Sequence, residues 1–154
     1  MTENNKHYIS WTKLDSLVAT VQFHLENGNR KPDVIMGISR GGLVPAVMLS
    51  HKMNLPMVPL RWSTRDFLYN DEDTINDISD EIQDGKTVLI IDDICDTGHT
   101  FKLLADFFDN LPGVEKDKII WAALHVRDGA EFEVDYSAER IQDEGWVVYP
   151  YEQG

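Results

Sequence analysis

Residues 88–100 have the sequence Val-Leu-Ile-Ile-Asp-Asp-Ile-Cys-Asp-Thr-Gly-His-Thr, the most informative pattern in the chain. Its apolar start is typical of a buried strand, which ends in two adjacent carboxylates, Asp92 and Asp93. A third carboxylate, Asp96, follows before Thr97-Gly-His-Thr100 leads into a helical pattern. Free N–H groups at a helix start and nearby hydroxyls form a receptor for phosphate. Carboxylates suit sugar hydroxyls or Mg²⁺, so the pattern predicts a site for a sugar phosphate.

Strand and helix patterns alternate on both sides of this segment. Apolar runs of strand length occur at 34–38, 57–62, 87–91 and 119–126, with shorter ones at 140–141 and 146–149. Helical spacing occurs at 10–27, 43–53 and 100–108, and Ser10 and Gly28 are suited to cap the first of these helices. Six residues of that helix are predicted to share its buried face: Trp11, Leu14, Leu17, Val18, Val21 and Leu25. The alternation predicts an α/β fold, a mostly parallel twisted sheet flanked by helices, with ligands at the carboxyl ends of its strands.

Composition restricts the possible partners of the chain. Its 154 residues fit a single domain, 1–154, and its apolar runs are too short to span a membrane. A net charge of −13 without clustered cations argues against binding nucleic acid. The only cysteine, Cys95, excludes an intramolecular disulfide and is consistent with a reducing cytoplasm, where we expect the protein. Neighbouring aspartates disfavour the thiolate of Cys95, so we expect no redox role.

A polar stretch, about 63–85, shows little periodicity and carries eight acids over 66–84 without a basic residue. Loops of this length inside a domain are usually functional or disordered, so we predict a mobile loop here. Arg61 and Arg65 lie at its start, and the sequence does not decide which of them contacts a phosphate.

Asp-Asp-x-x-Asp-Thr-Gly-x-Thr after an apolar strand resembles the loop of type I phosphoribosyltransferases that binds phosphoribosyl pyrophosphate (PRPP). The resemblance implies that Asp92 and Asp93 hold the ribose hydroxyls and that Asp93 also contacts Mg²⁺. It implies that Thr97, Gly98, His99 and Thr100 bind the 5-phosphate, with His99 using its backbone N–H. Asp96 is implied as the general base.

The turn Ser39-Arg40-Gly41-Gly42-Leu43-Val44-Pro45 resembles the pyrophosphate loop of the bacterial xanthine–guanine members of this family. The resemblance implies that Ser39, Arg40 and Gly41 bind pyrophosphate. It also implies a cis peptide bond between Ser39 and Arg40.

The C-terminal segment Trp146-Val-Val-Tyr-Pro-Tyr-Glu152 resembles the Trp-Ile-x-x-Pro-Trp-acid segment of the same purine enzymes. Trp146 is then expected to stack on the base and Val147 to offer its backbone to the purine edge. Arg127 stands where these enzymes have a lysine that donates to the 6-oxygen, although a solvent-facing Arg127 is an alternative. The resemblance implies a base-binding hood over about 127–154.

Together these likenesses imply an enzyme that transfers ribose 5-phosphate from PRPP to N9 of xanthine, guanine or hypoxanthine, with Mg²⁺ as cofactor. They imply a homodimer or homotetramer whose partners are PRPP and a purine base, with neither nucleic acid nor membrane. A regulatory domain that binds PRPP or a nucleotide without turnover is one alternative. A transferase for another base is the second.

Overall fold

The computed structural model describes residues 5–62 and 71–153. Its strands are β1 (Lys6–Tyr8), β2 (Val34–Ile38), β3 (Met57–Leu60), β4 (Val88–Cys95), β5 (Ile119–Arg127), β6 (Tyr136–Ile141) and β7 (Trp146–Val148). Its α-helices are α1 (Trp11–Asn27), α2 (Leu43–Met53), α3 (Glu72–Gln83) and α4 (His99–Asp109). Short 3-10 turns cover Lys116–Lys118 and Pro150–Glu152. Within the described ranges, no helix combines the length and the apolar character needed to cross a membrane.

The main sheet has the strand order β3-β2-β4-β5-β6, and all of its neighbouring pairs are parallel. This confirms the predicted α/β fold with a parallel sheet. Strand β4 lies at the centre and is longer than predicted, because Ile94 and Cys95 continue the pairing with His125 and Val126 of β5. The acidic pair Asp92-Asp93 therefore belongs to a strand that is fixed by the sheet, rather than to the loop after it.

Side chains of β4 alternate between two apolar layers, as expected for a strand with helices on both faces. Leu89 and Ile91 pack with buried residues of α1 and α2. Val88 and Ile90 pack with buried residues of α3 and α4. The two layers hold the central strand from both sides, so its carboxyl end projects from a rigid support.

Helix α1 begins as predicted, because the side chain of Ser10 accepts a hydrogen bond from the backbone N–H of Lys13 at 3.0 Å. Five of its six predicted core residues are buried: Leu14, Leu17, Val18, Val21 and Leu25. The prediction for Trp11 is wrong, since its side chain is 60% exposed. Trp11 is the first residue of the helix, where a side chain can lie beyond the edge of the layer that the helix covers.

The prediction of an irregular loop over 63–85 is wrong for residues 72–83, which form α3. Ile75, Ile78 and Ile82 are buried on one face of this helix, at helical spacing. Asp71 caps the helix by accepting from the backbone N–H of Thr74 at 3.1 Å. This narrow apolar stripe was not recognised from the sequence, because acidic residues occupy many of the other positions of the helix. Residues 63–70, including Arg65, lie outside the described residues.

A small second sheet lies beside the C-terminal part of the chain. It pairs β1 with β7 in parallel, with Lys6 opposite Trp146 and Tyr8 opposite Val148. The sequence did not reveal β1, the strand that pairs with β7. All three residues of β1 are exposed, so the strand carries no apolar alternation.

Candidate active site

The glycine turn and the acidic strand end lie against each other. Strands β2 and β4 are parallel neighbours, with Gly37 opposite Ile91, so the segments that follow them meet at one edge of the sheet. A Cβ atom added to Gly41 would overlap the carboxylate oxygen Oδ2 of Asp93. Only glycine permits this close approach of main chain to carboxylate. The peptide bond between Ser39 and Arg40 is cis, which confirms that prediction.

Asp92 and Asp93 form a partly buried carboxylate pair. Burial, followed by the charge of Asp93, raises the pKa of Asp92 well above its usual value. Burial also raises the pKa of Asp93, although a hydrogen bond from the Tyr151 hydroxyl to its Oδ2, at 2.8 Å, opposes this shift. A cation or donor groups of a ligand would favour the ionised pair.

The donor set of this pair fits Mg²⁺ that is held mainly by a substrate. In residues 5–62 and 71–153 there is no group of three or more His, Cys, Asp or Glu side chains that could hold a metal ion. Mg²⁺ commonly binds through one or two carboxylates and completes its shell with water and phosphate oxygens. Asp93 can serve as such a carboxylate.

Residues Thr97 to Thr100 form the turn that starts α4. Gly98 has φ +87°, and a Cβ there would lie 2.7 Å from the backbone N of Phe132. The Thr97 hydroxyl accepts from the backbone N–H of His99 at 3.2 Å, so that N–H has an acceptor within the turn itself. A cavity of about 500 Å³ lies beside this turn; its lining includes Asp96, Thr97, His99 and Arg127.

Arg127 faces the site rather than solvent, with its side chain 18% exposed. Its Nε donates to Oδ1 of Asp96, which leaves the Asp96 side chain 45% exposed. Its Nη1 donates to the carbonyl of Asp143 at 2.6 Å, and its Nη2 donates to that of Gly145 at 2.9 Å. Arg127 therefore joins the end of β5, the acidic loop and the segment that leads into β7.

Trp146 and Val147 lie at a second cavity, of about 140 Å³, which is also lined by Asp93, Asp96 and Arg127. The side chain of Trp146 is 55% exposed, whereas that of Val147 is only 7% exposed. In the described part of the chain, β7 pairs with β1 along one edge and has no strand along the other. The exposed aromatic ring can stack on a planar ligand, and the backbone groups of the free strand edge can form hydrogen bonds with the polar atoms at the edge of that ligand.

The predicted pyrophosphate residues belong to the turn that follows β2. Ser39 is anchored by a hydrogen bond from its backbone N–H to the carbonyl of Leu60, at 2.8 Å. Arg40 is exposed and Gly41 is half-buried against Asp93. An exposed guanidinium can bind a phosphate group.

Three side chains of the site, which belong to two tyrosines and one histidine, were not identified from the sequence. Tyr149 and Tyr151 both donate hydroxyl hydrogen bonds to Asp93, and His125 contacts the Tyr149 hydroxyl at 2.8 Å. The alternate spacing of the two tyrosines in the C-terminal segment was visible, but nothing in the sequence said that Tyr151 reaches the carboxylate of Asp93 and Tyr149 its backbone carbonyl. Cys95 follows its prediction: burial and the nearby aspartates raise its pKa to about 11, so the thiol stays neutral.

Comparison with known proteins identifies the family of this chain. The phosphoribosyl transferase domain family matches residues 11–153. The chain belongs to this family. The resemblance read from residues 92–100 is thereby confirmed.

Relatives within the family share nearly the whole length of this phosphoribosyltransferase domain. Xanthine-guanine phosphoribosyltransferase of Idiomarina loihiensis is 28% identical over 153 residues, covering 97% of this chain and 88% of its own. The enzyme of the same name from Cereibacter sphaeroides is 21% identical, with 94% and 86% covered.

Solved structures agree with the fold. Purine phosphoribosyltransferase from Pyrococcus horikoshii superposes with a TM-score of 0.73 at 27% identity, covering 96% of this chain and 94% of its own. Helicobacter pylori xanthine-guanine-hypoxanthine phosphoribosyltransferase has a TM-score of 0.72 at 16% identity, with 96% and 93% covered.

Proposed function

We propose that this protein is a purine phosphoribosyltransferase that moves ribose 5-phosphate from PRPP to N9 of a 6-oxopurine and releases pyrophosphate. The observation that carries the proposal is the place of Asp96 and Arg127, which line both the cavity beside Thr97 and the cavity beside Trp146. Direct transfer requires that the donor and the acceptor bind next to each other. Asp96 and Arg127 lie where the two cavities adjoin. The names of the relatives support the purine as acceptor.

PRPP fits the acidic loop from end to end. Thr97, Gly98, His99 and Thr100 hold the 5-phosphate at the start of α4, where N–H groups and hydroxyls favour an anion. The phosphate shares the His99 N–H with the Thr97 hydroxyl or displaces it. Asp92 and Asp93 accept hydrogen bonds from the ribose hydroxyls.

Pyrophosphate leaves toward the glycine turn. Arg40 and Gly41 offer main-chain N–H groups, Ser39 offers its hydroxyl, and Arg40 also offers its guanidinium, where negative charge develops as the C1–O bond breaks. Mg²⁺ bound with PRPP and contacted by Asp93 would supply charge neutralisation on the leaving group. The tight packing of Gly41 on Asp93 keeps this turn next to the ribose site.

The base lies between Trp146 and the end of β5. Trp146 stacks on its face and the backbone of Val147 meets its edge. A guanidinium has five N–H groups and Arg127 uses three in this structure, so two remain for the 6-oxygen. A donor at this place selects a 6-oxo group, because a 6-amino group offers it no acceptor.

Asp96 completes the chemistry as general base. The C1–pyrophosphate bond breaks with oxocarbenium character, N9 forms the new bond to C1, and the N7 proton moves to the Asp96 carboxylate. The hydrogen bond from Arg127 leaves one carboxylate oxygen of Asp96 for this proton. We further propose that the enzyme acts in the cytoplasm as a homodimer or homotetramer.

The test is nucleotide and pyrophosphate formation from PRPP and Mg²⁺ with guanine, xanthine, hypoxanthine, adenine, uracil and orotate, each supplied alone. Turnover restricted to the three 6-oxopurines is expected, and it would rank them. Binding of PRPP without turnover of any base would instead indicate a regulatory domain. Turnover of adenine or a pyrimidine in preference to the 6-oxopurines would contradict the base assignment.

A further inference from the structure

Two tyrosine hydroxyls converge on Asp93 from the C-terminal segment. The Tyr151 hydroxyl donates to the carboxylate oxygen Oδ2 at 2.8 Å, and the Tyr149 hydroxyl donates to the backbone carbonyl of the same residue at 3.0 Å. One contact therefore orients the side chain and the other holds the main chain. The partners are 58 and 56 residues apart in sequence, so the contacts exist only in the folded chain.

The local structure fixes both rings. A 3-10 turn over Pro150–Glu152 follows Tyr149, whose backbone N–H donates to the Glu152 carboxylate at 2.9 Å. The rings of Tyr149 and Tyr151 stack, with centroids 5.5 Å apart and planes within 3° of parallel. Trp11 packs on Tyr151 at a tilt, with centroids 6.5 Å apart. Because packing already holds the two rings, little further conformational entropy is lost when their hydroxyls form hydrogen bonds with Asp93.

Tyr149 is also tied to a polar chain behind it. It is buried, and its hydroxyl contacts Nδ1 of His125 at 2.8 Å. The other ring nitrogen of His125 contacts Glu139 at 3.3 Å, and Lys13 pairs with Glu139 at 2.5 Å. The Tyr149 hydroxyl is thus held between the Asp93 carbonyl and the His125 ring.

The Asp93 carboxylate is confined on two sides. Its Oδ2 accepts from Tyr151, while the main chain of Gly41 lies so close that a Cβ would overlap the same oxygen. Because a carboxylate is planar, fixing Oδ2 also fixes the direction of Oδ1. A group whose orientation is set before a ligand arrives loses less entropy on binding it.

We propose that Tyr151 and Tyr149 are positioning residues that hold Asp93 in the orientation needed to bind the ribose hydroxyls and cation of PRPP. The inference rests on the proposed function and adds residues that act through Asp93 instead of touching the substrate. Tyr151 stands where the resembling segment has its second tryptophan, so the hydroxyl contact belongs to this chain's own sequence.

The test uses Tyr151→Phe in the full chain, with Tyr8→Phe as the control because Tyr8 is 65% exposed and lies outside the site. Calorimetric titration with PRPP and Mg²⁺, in the absence of base, gives the dissociation constant. Loss of one hydrogen bond to a charged group should raise it about tenfold. The KM for PRPP should rise in parallel while the KM for the base stays unchanged, a split that a general loss of structure does not produce.

A double-mutant cycle tells whether Tyr151 acts through Asp93. In an Asp93→Ala background, Tyr151→Phe should change PRPP affinity by less than about twofold, because the carboxylate that it orients is gone. A full effect of Tyr151→Phe in that background would overturn the inference, as would wild-type PRPP affinity in Tyr151→Phe itself.

Tyr149→Phe provides a second measurement. It should weaken PRPP binding and also lower the unfolding temperature, since it leaves the buried His125 without its hydroxyl partner. Unchanged PRPP affinity in Tyr149→Phe would remove that residue from the proposal. Failure of the wild-type protein to bind PRPP at all would overturn the proposed function and this inference together, whereas normal wild-type turnover with unaffected variants would overturn only the inference.

Discussion

Gly98 and Gly129 allow a matched test of the turn that starts α4. Both have φ +87°, a conformation that costs a residue with a Cβ about 1–2 kcal/mol. Around Gly129 an added Cβ meets nothing within 4 Å. At Gly98 it would lie 2.7 Å from the backbone N of Phe132 and 3.1 Å from that of Glu131. The two Gly→Ala variants therefore share the backbone penalty and differ in the steric one.

The steric part can be estimated from the contacts that must yield. Both atoms belong to the main chain, and Glu131 donates to the carbonyl of Thr97 at 2.8 Å, so displacing this segment weakens a hydrogen bond. Overpacking of this kind costs about 1–3 kcal/mol. We expect Gly98→Ala to be less stable than Gly129→Ala by about 2 kcal/mol, which corresponds to about 4–8 °C in unfolding temperature for a domain of this size.

Scanning calorimetry of the two variants beside the wild type measures this difference directly. PRPP affinity should fall in Gly98→Ala alone, because the shift moves the N–H groups at the start of α4. Equal unfolding temperatures for the two variants would refute the close packing of the 131–132 segment on Gly98. An unchanged PRPP affinity in Gly98→Ala would refute the role of this turn in binding phosphate.

Two other side chains give contrasting predictions. Arg127→Ala removes three hydrogen bonds and should lower the free energy of unfolding by about 2–3 kcal/mol. The control is Arg140→Ala, because the exposed ion pair of Arg140 with Asp128 contributes less than about 1 kcal/mol. Urea unfolding of the two variants measures the difference. The same Arg127 variant should relax discrimination against adenine in kcat/KM, and an unchanged ranking of bases would exclude Arg127 as reader of the 6-position. Burial lowers the pKa of His125 below its usual 6.5, so the unfolded state takes up the proton first as pH falls. Stability should therefore fall from about pH 7 downward through the folded-state pKa, and His125→Gln should show a shallower slope in unfolding free energy over this window; equal slopes would contradict the shift.

Sequence patterns were sufficient for β2, β4 and β5, because these strands are apolar runs of the right length and each is followed by a turn that contains glycine. They failed where apolar residues were few. Helix α3 depends on three isoleucines among acids, and β1 is an exposed strand that pairs with residues about 140 positions away. Such elements form because a partner surface exists in the folded chain, and local periodicity contains little of that information.

The candidate site shows the same division. Asp92, Asp93, Asp96 and the threonines follow one another in a single segment, so their chemistry could be predicted from spacing. The hydrogen bonds of Tyr149 and Tyr151 to Asp93, and of Arg127 to Asp96, join residues 31 to 58 positions apart. Which acceptor each of these side chains reaches depends on strand register and on the path of the C-terminal segment, which only the structure supplies.

Asp96→Asn tests the central claim most directly. Asparagine keeps an oxygen for the hydrogen bond from Arg127, so the geometry of the site is retained while the proton acceptor is lost. Turnover should fall by about 10²–10⁴, the usual contribution of general acid–base catalysis. The dissociation constant for PRPP, measured by titration on the same preparation, should remain close to that of the wild type. Equal losses in turnover and in PRPP affinity would contradict the assignment of Asp96 as the general base between the two cavities.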